Sequence, residues 1–165
     1  MPTDLTALKA LSQALKLEQE GREFYLRASE ETLDEKGQAL FRSLADDERM
    51  HAEIIQKEIH SIEGDGAYVL IPDLTVTDID LDAKLFPPQQ AKLEARIGSS
   101  PSDVDALHVA IDNEIRSYDL YRAAAKEADD LAGRQMYQWL ASAEMTHFNL
   151  LMTNYEAIVS GSSWV

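Results

Sequence analysis

Glu144-Met145-Thr146-His147 sets a carboxylate and an imidazole three residues apart, and Glu48-Arg49-Met50-His51 does the same earlier in the chain. On a helix this spacing puts both side chains on one face, about one turn apart, where they can share a metal ion. A single such match carries little weight in a chain with 30 acidic residues and 4 histidines. The two matches, however, are in register. Residues 14–55 set above residues 110–151 without a gap are identical at Ala14/Ala110, Glu18/Glu114, Tyr25/Tyr121, Ala28/Ala124, Glu31/Glu127, Asp34/Asp130, Gly37/Gly133, Leu44/Leu140, Ala45/Ala141, Glu48/Glu144 and His51/His147, always at an offset of 96. That constancy marks an internal duplication. Each half carries a lone Glu (Glu18, Glu114) followed by a Glu-x-x-His.

Composition bounds what these residues can serve. A chain of 165 residues, 45% hydrophobic, fits one compact domain over residues 1–165 that needs neither metal nor disulfide to fold. With no cysteine, thiolate zinc sites, iron–sulfur clusters and thiol catalysis are excluded. The net charge of −15 opposes nucleic acid, whose binding needs clustered Lys and Arg, and favours cations. No stretch approaches the length of a membrane span, and the start, Met1-Pro2-Thr3-Asp4, lacks a basic region followed by an apolar run. A soluble, cytoplasmic protein without a membrane partner is the expectation.

Four helices are predicted to position the six side chains. The first, about residues 4–32 with Thr3 or Asp4 as N-cap, has the inward stripe Ala7, Leu11, Ala14, Glu18, Gly21, Tyr25, Ala28; Glu20, Glu23, Glu30 and Glu31 fall off it as solvated or capping charges. After a turn at Leu33–Gly37, with Asp34 able to cap, the second shows Gly37, Phe41, Leu44, Glu48, His51, Ile55 and Ile62 on one face. The third, capped by Ser102 or Asp103, aligns Leu107, Ala110, Glu114, Ser117, Tyr121, Ala124 and Ala128. The fourth aligns Gly133, Tyr137, Leu140, Glu144, His147, Leu151 and Ile158 and ends near Ser160-Gly161, leaving no room for a fifth. In an antiparallel hairpin, residues equally far from the turn share a level. Glu18 and Glu48 are equidistant from residue 33, and Glu114 and Glu144 from residue 129. Each lone Glu thus comes level with its own Glu-x-x-His, about 22 Å from the turn at a rise of about 1.5 Å per residue.

The hairpins, about 4–62 and 102–160, are joined by a Gly- and Pro-containing crossover over about 63–101. It holds strand-like runs at Ala67–Ile71 and Leu74–Ile79 and a short helix over Pro88–Ile97. A connection this long can cross the length of a bundle. Its Val69, Leu70, Ile71, Leu74, Leu85 and Phe86 are expected to pack along the outside or against a partner subunit.

These motifs resemble those of the ferritin-like superfamily, and within it the rubrerythrin-like proteins that lack a rubredoxin domain: one Glu from each of two helices, plus Glu-x-x-His from each of the other two. The stretches Glu18-Gln19-Glu20-Gly21-Arg22-Glu23-Phe24-Tyr25 and Asp46-Asp47-Glu48-Arg49-Met50-His51-Ala52-Glu53 resemble the family's first two helices. The resemblance implies an all-α ferritin-like four-helix bundle made of two repeated hairpins. It also implies a pair of ions, with Glu18 and His51 on one, Glu114 and His147 on the other, and Glu48 and Glu144 bridging. Four carboxylates and two imidazoles suit two Fe ions, with Mn or Zn as substitutes, and their charges balance two divalent cations. Without metal, some of the carboxylates should take up protons.

Reduction of H2O2 or O2 is the leading expectation. The chain has no cysteine-ligated iron relay, so electrons would come from a separate donor protein. Where rubrerythrins have a further ligand Glu one turn after the third helix's Glu, this chain has Ser117, and Gly21 is its repeat mate. Two other readings are a ferroxidase or iron-handling protein, and a non-catalytic metal-bound interaction bundle; a homodimer is expected. His60 and His108 read as surface or capping residues, and Met50, Met145 and Met152 as packing rather than haem ligands; Tyr25 and Tyr121, two turns from the lone Glu residues on the same stripe, read as core packing, with hydrogen bonding to the ligands or radical chemistry as the alternative. Asp47, one turn before His51, reads as its orienting partner.

Overall fold

A computed structural model describes residues 5–72, 74, 78–88 and 101–165. Four helices account for most of it: α1 (Leu5–Glu31), α2 (Glu35–Asp65), α3 (Pro101–Glu127) and α4 (Leu131–Val159). α1 pairs with α2 and α3 with α4 as hairpins, and the hairpins meet through α1 and α3. The architecture is an all-α four-helix bundle.

The two tight turns are built alike because the repeat supplies each with the same cap. Asp34 accepts from Lys36 N at 2.8 Å and Gly37 N at 3.4 Å, and Asp130 accepts from Gly133 N at 3.0 Å, satisfying amides that a helix start leaves open. α2 ends at Gly66, whose φ of 73° suits a residue without Cβ and whose N–H bonds Ile62 O. The expected cap at Thr3 or Asp4 lies outside the described residues. Ser102 and Asp103 do not precede the third helix: α3 already begins at Pro101, where a missing N–H costs nothing, and Asp103 falls in its first turn.

The predicted inward stripes are the buried ones. Two apolar clusters result, one around Leu11, Ile55, Tyr121, Tyr137 and Leu140, the other around Tyr25, Phe41, Leu107, Ile111 and Leu151. Every helix contributes to one cluster before its Glu or Glu-x-x-His and to the other after it. The six polar residues are thereby sealed between two plugs of core, in which each fully buried large side chain stabilises by about 1.5–3 kcal/mol.

The crossover corrects two expectations. No strand forms at 67–71 or among the described residues of 74–79, since a lone extended segment needs a partner strand. Here the backbone bonds helix side chains instead, Val69 N donating to Glu58 and Ser61 Oγ to Ala67 O. Further on, Tyr118 donates to Ala83 O, Arg122 to Leu81 O, and Lys126 pairs with Asp82, strapping residues 81–83 onto α3. Ile71, Leu74 and Leu85 pack on the core, whereas Val69, Leu70 and Phe86 are exposed. The short helix expected over Pro88–Ile97 lies outside the described residues. No helix among those described is long and apolar enough to cross a membrane.

Candidate metal centre

Glu18, Glu48, His51, Glu114, Glu144 and His147, identified from spacing alone, all converge at mid-bundle, and none is more than 3% exposed. Their donor atoms form two overlapping groups, Glu18–Glu48–His51–Glu144 and Glu48–Glu114–Glu144–His147. Glu48 and Glu144 belong to both. His51 Nδ1 lies 3.3 Å from Glu18 Oε2 and 3.2 Å from Glu144 Oε1, and His147 Nδ1 lies 3.4 Å from Glu144 Oε2, 3.4 Å from Glu114 Oε1 and 3.3 Å from Glu48 Oε1. The two oxygens of Glu144 thus face different histidines. The imidazoles stack with ring centroids 5.6 Å apart.

Charges packed this tightly are costly unless something positive sits among them. Burial, then repulsion from neighbouring carboxylates, drives Glu48 and Glu144 well above the usual carboxylate range. Burial also raises Glu18, but the charge of His51 beside it and the hydrogen bond from Tyr121 outweigh it and hold Glu18 at about 2; the charge of His147 and the hydrogen bond from Tyr25 likewise overcome burial and keep Glu114 low. Both histidines are raised, burial being overcome by the carboxylates around them. Yet Glu18 Oε2, Glu48 Oε1, His51 Nδ1, Glu114 Oε2, both oxygens of Glu144 and His147 Nδ1 are buried with no hydrogen-bond partner. Buried polar atoms are almost always paired, so unpaired donors aimed at one small volume, all oxygen or imidazole nitrogen, fit a metal site.

The surrounding residues refine one sequence reading and correct another. Tyr25 and Tyr121 are buried, but each also bonds a carboxylate: Tyr25 Oη donates to Glu114 Oε1, and Tyr121 Oη to Glu18 Oε1. Each reaches the opposite hairpin, whereas spacing along its own helix pointed only to the Glu two turns away. Tyr25 is seven residues beyond Glu18 and Tyr121 seven beyond Glu114; because α1 and α3 run antiparallel, each tyrosine comes level with the other helix's Glu. Burial and the adjacent carboxylates raise both phenols well above their ordinary range, so they remain donors.

Asp47 serves not His51 but His147, whose Nε2 lies 3.0 Å from Asp47 Oδ2. Its repeat mate is Ala143, and His51 instead meets the ring of Trp139 edge-on. The two histidines are therefore held differently. Asp47→Asn should weaken metal binding about 10- to 100-fold at the His147 position and leave the His51 position near wild type; stepwise chelation followed by metal analysis would resolve the two.

The remaining histidines are as expected, His60 exposed and His108 beside Asp112 on the partly exposed face of α3. Met145 and Met152 pack against the core, but Met50 is 43% exposed and packs into neither cluster.

A cleft of about 60 Å³ reaches the centre between α1 and α3, lined in part by Gly21, Ser117, Tyr25, Glu48 and Glu114. A Cβ on Gly21 would lie 2.9 Å from Glu48 Oε2, so only glycine leaves that carboxylate where it is. Gly21→Ala should gain up to about 1 kcal/mol of stability from helix propensity. Displacing Glu48 should simultaneously lower metal affinity about tenfold. Opposite changes in a thermal melt and a metal titration would separate the two effects.

Comparison with known proteins agrees with this geometry. The rubrerythrin family model matches residues 9–155. Among solved structures, a hypothetical protein from Pyrococcus furiosus is similar over 98% of this chain and 95% of its own, at 20% identity and a TM-score of 0.69, a likeness of fold. A search of curated proteins found no significant match.

Proposed function

The chain belongs to the rubrerythrin family, and from that premise we propose that it is a di-iron oxidoreductase reducing H2O2 or O2 with electrons from a separate donor protein. The observation that carries this reading is the pair of donor groups sharing Glu48 and Glu144. Glu18 and His51 would hold one ion, Glu114 and His147 the other, with Glu48 and Glu144 between them. Two adjacent ions held there would supply the two electrons that, with two protons, convert H2O2 to two waters.

The chain's own residues do the rest. Tyr25 and Tyr121 pin the terminal carboxylates by hydrogen bonds, so that neither Glu114 nor Glu18 swings away. Asp47 fixes the ring of His147. The two apolar clusters exclude bulk water from either end of the bundle, leaving the small cleft at Gly21 and Ser117 as the approach for a small oxidant. A glutamate at Ser117 would fill that approach; serine keeps it open.

The test is anaerobic loading with Fe(II), metal analysis, and the absorption spectrum after H2O2 or O2. About two irons per chain and an oxo-bridged ferric band support the reading, and a much faster reaction with peroxide than with O2 assigns it to peroxide. Uptake of iron far beyond two ions per chain would replace it with iron handling. Stoichiometric metal that is inert to both oxidants would leave a structural site.

A further inference from the structure

The cleft between α1 and α3 has a symmetric rim and an asymmetric floor. Its rim is made of repeat mates, Leu17 with Asn113, Glu20 with Arg116 and Gly21 with Ser117, each pair 96 residues apart. An opening built in this way from both repeats could reach both halves of the centre alike. It does not. The buried groups at its floor are Tyr25, Glu48 and Glu114, whereas their mates Tyr121, Glu144 and Glu18 are not part of its lining.

All three floor groups lean to one half of the centre. Glu114 shares a donor group with His147 and not with His51, and Tyr25 donates its hydrogen bond to Glu114. Glu48 is common to both groups, but its Oε1 lies 3.3 Å from His147 Nδ1 against 4.0 Å from His51 Nδ1. The other half is closed. Glu18 and Glu144 are fully buried, and the ring of Trp139 meets His51 edge-on. The sequence difference that breaks the symmetry is Gly21 against Ser117. Glu48 Oε2 lies 2.9 Å from where a Cβ at position 21 would be, so the missing side chain lets Glu48 lean towards α1 and show an edge to the cleft. Glu144, whose hairpin carries a serine at the equivalent place, is withdrawn completely.

We propose that the cleft is a binding site for a small anion or peroxide on the ion held by Glu114 and His147, and that the ion held by Glu18 and His51 is closed to such ligands. This rests on the reading of the centre as a metal pair given above. A volume of about 60 Å³ sets the size limit, with room for a ligand of about two or three heavy atoms. The rim carries one carboxylate, Glu20, and one guanidinium, Arg116, so neither sign of charge dominates the entrance. The duplication thus supplies two similar ion positions, and one glycine makes them unequal.

Azide, a linear triatomic anion, tests this on Co(II)-loaded protein, whose visible bands report a change of coordination without any turnover. Wild-type protein carrying about two cobalt ions per chain should bind about one azide per chain. His51→Ala, which keeps the position of Glu114 and His147, should bind azide within about threefold of wild type, and His147→Ala, which keeps the other position, at least about tenfold more weakly. Equal azide affinity in the two variants, or a second azide per chain in the wild type, overturns the proposal. Where a histidine variant does not fold, Ser117→Leu decides, because it puts bulk into the cleft and leaves every ligand in place. It should keep about two cobalt ions per chain and lose azide affinity at least about tenfold; wild-type azide affinity in that protein overturns the proposal. Cobalt that fails to bind at all sinks the metal reading and this proposal with it, whereas full cobalt loading with azide on both ions sinks this proposal alone.

Discussion

Glu144→Ala is expected to lose both ions, whereas Glu18→Ala should lose mainly one. Glu144 offers one oxygen at 3.2 Å to the His51 side and the other at 3.4 Å to the His147 side, while Glu18 belongs to a single donor group. Losing an orienting neighbour of a ligand typically costs 10- to 100-fold in metal affinity, so losing a shared ligand should exceed about 100-fold at both positions. Misfolding would produce the same loss, and Glu144→Gln separates the two. Burial and the charges of Glu114 and Glu18 oppose ionisation of Glu144, and a neutral amide of the same shape removes that opposition. The metal-free Gln variant should therefore melt at or above the wild-type temperature at neutral pH while binding neither ion tightly. Two ions retained at wild-type affinity would show that Glu144 does not bridge.

The six candidate ligands were legible because the duplication repeats them at one offset, and because a hairpin fixes which residues share a level. The same arithmetic within a hairpin could not reveal contacts between hairpins. Tyr25 and Tyr121 were placed on the right face, yet their partners follow only from the register of α1 against α3, which depends on a crossover whose length does not determine its path. Asp47 misled for a related reason: one turn before His51 on its own helix, it leans across to His147 on another. Identity also understated the repeat. Beyond His51 and His147 the identities thin to Ile62/Ile158 and Val69/Val165, whereas Tyr68 and Trp164, also 96 residues apart, share packing on Gly133 and Gly37 but not residue type. The strand-like runs of the crossover had strand composition but no partner, and composition alone does not supply one.

The metal-free protein should lose stability as pH rises from about 5 to about 8, and metal should reverse the trend. Glu48 and Glu144 have folded-state values raised above the ordinary 4.5, so what they contribute as neutral groups is fully present below that value and lost as pH climbs through the folded one. His51 and His147, raised above 6.5, behave in the same sense: their contribution is complete below 6.5 and lost at higher pH. Glu18 and Glu114 act oppositely, but their contribution is already complete above 4.5 and fades only as pH falls through their depressed values. Nothing at the centre therefore offsets the loss above about pH 5. Metal needs the deprotonated ligands, so its affinity should rise over the same range with release of protons. At a thousandfold excess over Kd a bound ion adds about 4 kcal/mol, which for a chain of this size raises Tm on the order of 10 °C. Thermal melts of metal-free and Fe(II)-loaded protein under anaerobic conditions should accordingly diverge as pH rises. Parallel curves would mean that the buried carboxylates and the bound metal do not occupy the same site.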